Sequence, residues 1–276
     1  MNDFLSYEFI DSSNCINTFD EAPLWSSRFG FLLLDNIKLK PNLTVIDLGS
    51  GTGFPLLEIA ERLGNSSKIY GIDPWENANK KAKQKIKEYN LFNVEIIEQS
   101  AEKLPFKEKS VDLIVSNLGI NNFKNKELIL QECLRVLKIN GKLAITTNLY
   151  GHWKEFYSIF ESTLHECKYP YLIDNLHQEQ IQRGTKENIS KLFVNQGFSI
   201  TNSIESQFTM NFLNGTAFLN HHFIKCGWLS SWFSLFPDSA IPKIFKKLEY
   251  NLNIYAEEHK QISLSIPMLF LEGKKL

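Results

Sequence analysis

Gly49, Gly51 and Gly53 close the run Val45-Ile46-Asp47-Leu48-Gly49-Ser50-Gly51-Thr52-Gly53, and Asp73 stands twenty residues beyond Gly53, at the end of Ile69-Tyr70-Gly71-Ile72. A buried strand that runs into a glycine turn and then a helix lets the backbone approach a ligand closely, because glycine takes φ > 0 and has no Cβ. A carboxylate that ends the next strand can accept two hydroxyl hydrogen bonds at once, which is what a ribose offers. Together these residues describe a nucleoside-cofactor site. The spacing narrows the choice. The dinucleotide fingerprint G-x-G-x-x-G needs its third glycine where this chain has Phe54, so a nicotinamide cofactor fits badly.

Such a site needs a sheet to hold it, and the chain supplies the pattern of one. Strand-like and helix-like segments alternate from about residue 44 to residue 148, as in a parallel sheet with helices on both faces. Strands are predicted over 44–48, 68–73, 94–98, 111–116 and 142–148, with helices over 55–63, 77–89 and 126–137. Pro55 suits the first helical turn, and Gly64 suits a C-terminal stop. Further on, 186–196 reads as a helix, 198–208 as a sixth strand and 262–271 as a seventh.

The glycine turn with its acidic partner resembles motif I of the class I S-adenosylmethionine-dependent methyltransferases. Ser100-Ala101-Glu102-Lys103-Leu104-Pro105-Phe106 is similar to the "DAxxLPF" segment of the UbiE-like small-molecule members, and Arg135-Val136-Leu137-Lys138-Ile139-Asn140-Gly141-Lys142 to their "RVLKPGG" turn. Between them, Ser116-Asn117-Leu118-Gly119-Ile120-Asn121-Asn122 sits where that family has its motif after the fourth strand. The resemblance covers roughly residues 40 to 150. It implies a Rossmann-like, doubly wound, seven-stranded, mostly parallel α/β sheet and S-adenosyl-L-methionine as cofactor.

The same resemblance distributes the contacts. Gly49, Ser50, Gly51, Thr52 and Gly53 would approach the amino acid end of the cofactor, and Asp73 would take the ribose hydroxyls. Trp75, two residues on, is placed to stack on adenine or to pack on the next helix. Ala101 would offer its backbone N–H to the adenine edge. Ser100 stands where the family usually carries Asp, so the adenine amino group passes to Glu102 or to a hydroxyl. Asn117 would bond the methionine portion or the acceptor, or else cap its strand. Asp47 is expected to brace the turn through backbone N–H groups.

No triad or paired carboxylate accompanies these motifs, and methyl transfer does not demand one. The methyl carbon of a sulfonium is already activated, so alignment and exclusion of water can carry most of the rate. A base is needed where the acceptor arrives protonated. His152 is the first candidate and Tyr150 the second, because both follow the fifth strand closely; either can instead simply open the helix from Lys154.

The 276 residues fit a single methyltransferase domain, divided into a lid over 1–40, a cofactor-binding core over 41–150 and a C-terminal half over 151–276. Within the lid, 19–29 reads as a loop entering a helix, with Trp25 and Arg28 within reach of the site. About fifty residues separate the last two predicted strands, so a mostly helical insertion is expected over about 209–260. It carries Phe208, Phe212, Phe218, Phe223, Trp228, Trp232, Phe233 and Phe236 with Lys225 as its one charge between Phe208 and Phe236. Such a segment packs on the sheet domain, lines a pocket for an apolar or aromatic acceptor, or meets a partner, with a homodimer as the form that takes. His221 and His222 are adjacent, which on a helix would turn them about 100° apart, and neither is read as a metal ligand.

A net charge of −1 gives no electrostatic reason for nucleic acid. The four cysteines form no metal or redox spacing, no window is long enough for a membrane span, and no leader pattern opens the chain, so a cytoplasmic protein is expected. The function these features predict is transfer of a methyl group from S-adenosyl-L-methionine to a small acceptor, with no metal. A non-catalytic S-adenosylmethionine sensor or assembly protein, using the aromatic insertion as an interface, is the alternative from another class.

Overall fold

The computed structural model describes residues 4–12, 15–17 and 24–276. In chain order its main elements are α1 (Leu24–Asn36), β1 (Thr44–Leu48), α2 (Leu56–Leu63), β2 (Lys68–Ile72), α3 (Glu76–Glu88), β3 (Val94–Ile97), β4 (Val111–Asn117), α4 (Lys126–Val136), β5 (Leu137–Asn148), α5 (Lys154–Glu166), α6 (Ile173–Ile181), α7 (Lys186–Asn195), β6 (Phe198–Phe212), α8 (Gly215–Asn220), α9 (Ile241–His259) and β7 (Ile262–Lys275). No helix among the described residues is long and apolar enough to cross a membrane.

The seven strands form one sheet in the order β3-β2-β1-β4-β5-β7-β6. β1 to β5 pair in parallel, and β7 runs antiparallel to β5, with Asn148 opposite Met268 and Lys142 opposite Lys274. The strand order reverses between β1 and β4, both of which are buried along nearly their whole length. Loops leaving two such strands run to opposite faces and open a crevice at their carboxyl ends, the place where open α/β sheets bind ligands.

The chain packs as two compact units. One comprises Ser12–Asn148, Thr185–Ser206 and Met268–Leu276; the other comprises Met1–Asp11, Leu149–Gly184 and Gln207–Pro267. The core of the sheet unit joins Leu33 and Leu34 of α1, Leu56, Ile59 and Ala60 of α2, Val45, Val115 and Ala144 of the strands, and Phe270 of β7. Burial of aliphatic groups on both faces accounts for strands that read as continuous apolar runs.

The helical unit has a core of rings. Trp153, Phe156 and Phe160 of the α5 region pack with Phe218, Trp232, Phe236 and Phe245 at centroid separations of 4.6 to 6.4 Å. The aromatic insertion is therefore largely the core of its own unit. Its start differs from the expected position: β6 continues to Phe212, because Phe208, Met210 and Phe212 keep a strand's two-residue alternation of burial. β5 likewise begins at Leu137, since the stretch expected as a turn stays extended and bulges, with Asn140 at φ 65°.

Candidate functional site

The glycine turn lies at the carboxyl end of β1 and is held from below. Gly49 N donates to Ile72 O at 2.8 Å, and Gly53 N donates to Ser50 O at 2.9 Å. Gly49, Gly51 and Gly53 have φ of 76°, 51° and 107°, a region that side chains with a Cβ rarely enter. Their surroundings differ. A Cβ on Gly53 would stand 2.9 Å from Leu57 Cδ1, so that glycine serves packing, whereas a Cβ on Gly51 would meet open space.

Asp73 is fixed from two sides. Its Oδ2 accepts the Gly51 N–H and its Oδ1 accepts the Trp75 N–H, each at 2.8 Å, while Asn79 Nδ2 donates to the Asp73 backbone carbonyl at 2.8 Å. Each carboxylate oxygen thus keeps acceptor capacity for one more donor. Burial raises the Asp73 pKa, and the two backbone N–H groups lower it in part. Lys85 Nζ donates to Thr52 O at 3.0 Å and fastens the turn to α3.

Asp47 behaves otherwise than expected. It is fully buried under the turn, and neither carboxyl oxygen has a hydrogen-bond partner, so it does not brace the loop through backbone N–H groups. Desolvation first, and then the charge of Asp73, push its pKa up to about 8, and the nearby Leu56 N–H, outside hydrogen-bond geometry, offsets part of the rise. Ser50 is also buried with an unpartnered hydroxyl.

Ser100 is exposed, Ala101 is buried, and Glu102 between these extremes donates its backbone N–H to Ser100 Oγ at 3.3 Å. The segment is anchored behind by Arg135, whose guanidinium donates to Leu104 O and Phe106 O, each at 2.9 Å, and to Glu132. Trp75 is half-buried at the start of α3. Asn117 has partners within the protein: its Oδ1 accepts Thr146 Oγ1 at 2.7 Å, and its Nδ2 donates to Ser26 O of α1 at 3.1 Å. Trp25 is buried against Phe29, Arg28 is exposed, and the expected loop over 19–23 lies outside the described residues.

Two residues escaped the sequence reading. Asn79 is buried and fixes Asp73 from α3. Gly119 lets β4 approach the turn: a Cβ there would stand 2.5 Å from Ser116 Oγ and 2.6 Å from Leu48 O. The available signal is a glycine directly after the fourth strand, in Ser116-Asn117-Leu118-Gly119.

In the helical unit, His152 is buried, while Tyr150 is 53% exposed. His152 lines a small cavity with Gly151, Tyr157, Glu179, Gln180 and Arg183. Burial, and then the charge of Arg183, lower the His152 pKa well below its ordinary value, which keeps the ring neutral and able both to accept and to donate. His221 falls at the break between α8 and the short helix from His222, not on a shared helix with its neighbour. Among the described residues no three His, Cys, Asp or Glu side chains gather as metal ligands would.

The family model described as a methyltransferase domain matches residues 39–205. A demethylmenaquinone methyltransferase of Lactococcus lactis is 32% identical over 133 residues, covering 48% of this chain and 51% of that protein. One from Listeria welshimeri is 34% identical over 128 residues, covering 45% and 54%. The chain spans about half the length of the curated relatives it matches. Among solved structures, the YcgJ protein of Bacillus subtilis aligns with a TM-score of 0.58 at 15% identity, over 90% of this chain and 98% of that one. A SAM-dependent methyltransferase from Aquifex aeolicus aligns with a TM-score of 0.55 at 21% identity, over 71% and 93%. These two likenesses concern the fold.

Proposed function

Because the chain belongs to the methyltransferase domain family, with a match over more than half its length, we propose that it transfers a methyl group from S-adenosyl-L-methionine to a small acceptor. The observation that carries this reading is the Asp73 carboxylate. It stands at the carboxyl end of β2, beside β1 and its glycine turn, with each oxygen oriented by one backbone N–H and open to one more donor. That donor set fits the paired hydroxyls of a ribose, and the open space at Gly51 admits a ligand beside it.

When bound, the cofactor supplies a methyl carbon already activated by a sulfonium. The chain's own task is to bind, orient and keep water out. Asp73 would hold the ribose, Gly49 to Gly53 would receive the amino acid end, and Ser100, Ala101 and Glu102 would border the base, with Trp75 against its ring. Asn117, engaged by Thr146 and Ser26, is a rigid wall of the crevice more than a free ligand group. His152, neutral and buried, is the better-suited base for a protonated acceptor, and exposed Tyr150 the weaker one.

The helical unit is the acceptor side in this proposal. Residues 1–40, 41–150 and 151–276 then act as lid, cofactor core and acceptor half of one enzyme. The relatives' name makes demethylmenaquinone the first acceptor to screen, in keeping with an apolar or aromatic acceptor. A homodimer through the insertion has less support, because Phe212, Phe218, Phe223, Trp232 and Phe236 are buried within their own unit. A cytoplasmic setting accords with the lack of a spanning helix among the described residues.

Calorimetric titration with S-adenosylhomocysteine and S-adenosylmethionine tests the core of the proposal. Micromolar binding that Asp73→Ala abolishes is the expected result. A folded wild-type protein that binds neither would refute it.

A further inference from the structure

The helical unit contains a buried ionic cluster that transfer of a methyl group does not call for. Glu179 of α6 is 6% exposed; one carboxylate oxygen lies 3.2 Å from Arg183 Nη1, and the other accepts the Tyr157 hydroxyl. Trp232 Nε1 donates to the same hydroxyl at 3.4 Å. A buried ion pair of this kind adds little net stability, because desolvation offsets most of the attraction. Its place on the wall of a cavity suggests another use.

What the cavity can take follows from the groups left over. Each Glu179 oxygen already holds one partner, and Arg183 would repel a second cation, which disfavours an ammonium there. Arg183 Nη1 donates to the Glu179 backbone carbonyl at 3.4 Å and forms the ion pair with its carboxylate, while Nε and Nη2 make no hydrogen bond among the described residues. Two adjacent guanidinium nitrogens with free N–H groups match the two oxygens of a carboxylate. Gly151, at φ 88° with open space where a Cβ would be, leaves the approach unobstructed. The His152 ring adds an uncharged dipole and is itself backed by Trp153 and Trp228, at centroid distances of 4.3 and 6.2 Å. The cavity is small, sized for a functional group and not for a whole molecule.

We propose that this cavity is a carboxylate-binding site, in which the free edge of Arg183 takes both oxygens of an apolar or aromatic acid. As the anchor of a methyl acceptor the site rests on the transferase reading; as a binding site it does not.

The test uses the whole chain without cofactor and three probes of one shape: benzoate, benzyl alcohol and benzylamine, titrated by calorimetry. Benzoate is expected to bind about tenfold or more tightly than either of the others. Arg183→Lys keeps the positive charge beside Glu179 but loses the fork, and is expected to weaken benzoate by about tenfold. Arg62→Lys, in the exposed pair with Glu58, should change nothing. Equal binding of the three probes, no saturable binding of benzoate at millimolar concentration, or unchanged affinity in Arg183→Lys overturns the proposal. Should that variant not fold, the probe series on the wild-type protein decides alone. A separate titration with S-adenosylhomocysteine keeps the two readings apart, since either ligand can fail while the other binds.

Discussion

The ring of Phe54 lies against Gly30 so closely that a Cβ on that glycine would sit 2.1 Å from Phe54 Cε1. Phe54 is the residue that occupies the third-glycine position of a dinucleotide fingerprint, and here it docks α1 onto the cofactor turn. Gly30→Ala should therefore destabilise the protein by about 1 to 3 kcal/mol through overpacking, although alanine favours a helix by about 1 kcal/mol. In a Phe54→Ala background the clash is gone and the same substitution should stabilise. A double-mutant cycle by urea denaturation checks the change of sign.

Asp73→Ala should cost S-adenosylhomocysteine at least about a hundredfold in affinity, roughly 2.7 kcal/mol, measured by calorimetry. Removing the carboxylate also strands the Gly51 and Trp75 N–H groups, so a modest loss of stability should accompany it. Binding that survives unchanged would separate the turn from the cofactor.

Asp47 gives the fold a pH dependence with a definite sign. Its folded pKa of about 8 lies above the ordinary 3.8, so the folded chain holds a proton that the unfolded chain has released between those values. Stability from this group is fully present below the lower value and is lost as pH rises toward about 8, by up to about 1.4 kcal/mol per pH unit. Asp47→Asn should flatten that slope, with little effect near pH 4 and a stabilisation that grows toward pH 8. Thermal melts across this range would expose a wrong sign.

Gly119→Ala would place a methyl 2.6 Å from the Leu48 carbonyl oxygen, a backbone atom that cannot swing aside. The β1 and β4 loops must then part. A loss of about 1 to 3 kcal/mol in chemical denaturation is expected, together with weakened cofactor binding. A neutral substitution would mean that the two loops are not held at this separation.

The sheet was largely legible because its determinants are local. β1 lies where the apolar run Thr44–Leu48 stops at glycine, and α2 and α4 end within a residue of their expected limits. What escaped is what depends on residues far apart in the chain. Asn117 reads from sequence as a ligand group or a strand cap, and its amide donates to the carbonyl of Ser26, ninety-one positions away. Nothing in the sequence singles out Asn79, Glu179 or Arg183. Burial made them a brace and a cavity wall, and no periodicity announces that.

β7 is the last strand in chain order but not in space: it lies between β5 and β6. During synthesis β6 therefore emerges without its neighbour, and the gap beside β5 stays open until residues 262–275 have left the ribosome. Completion of the sheet therefore waits for β7, and until then the unpaired edge of β5 is the exposed surface that a chaperone would have to shield.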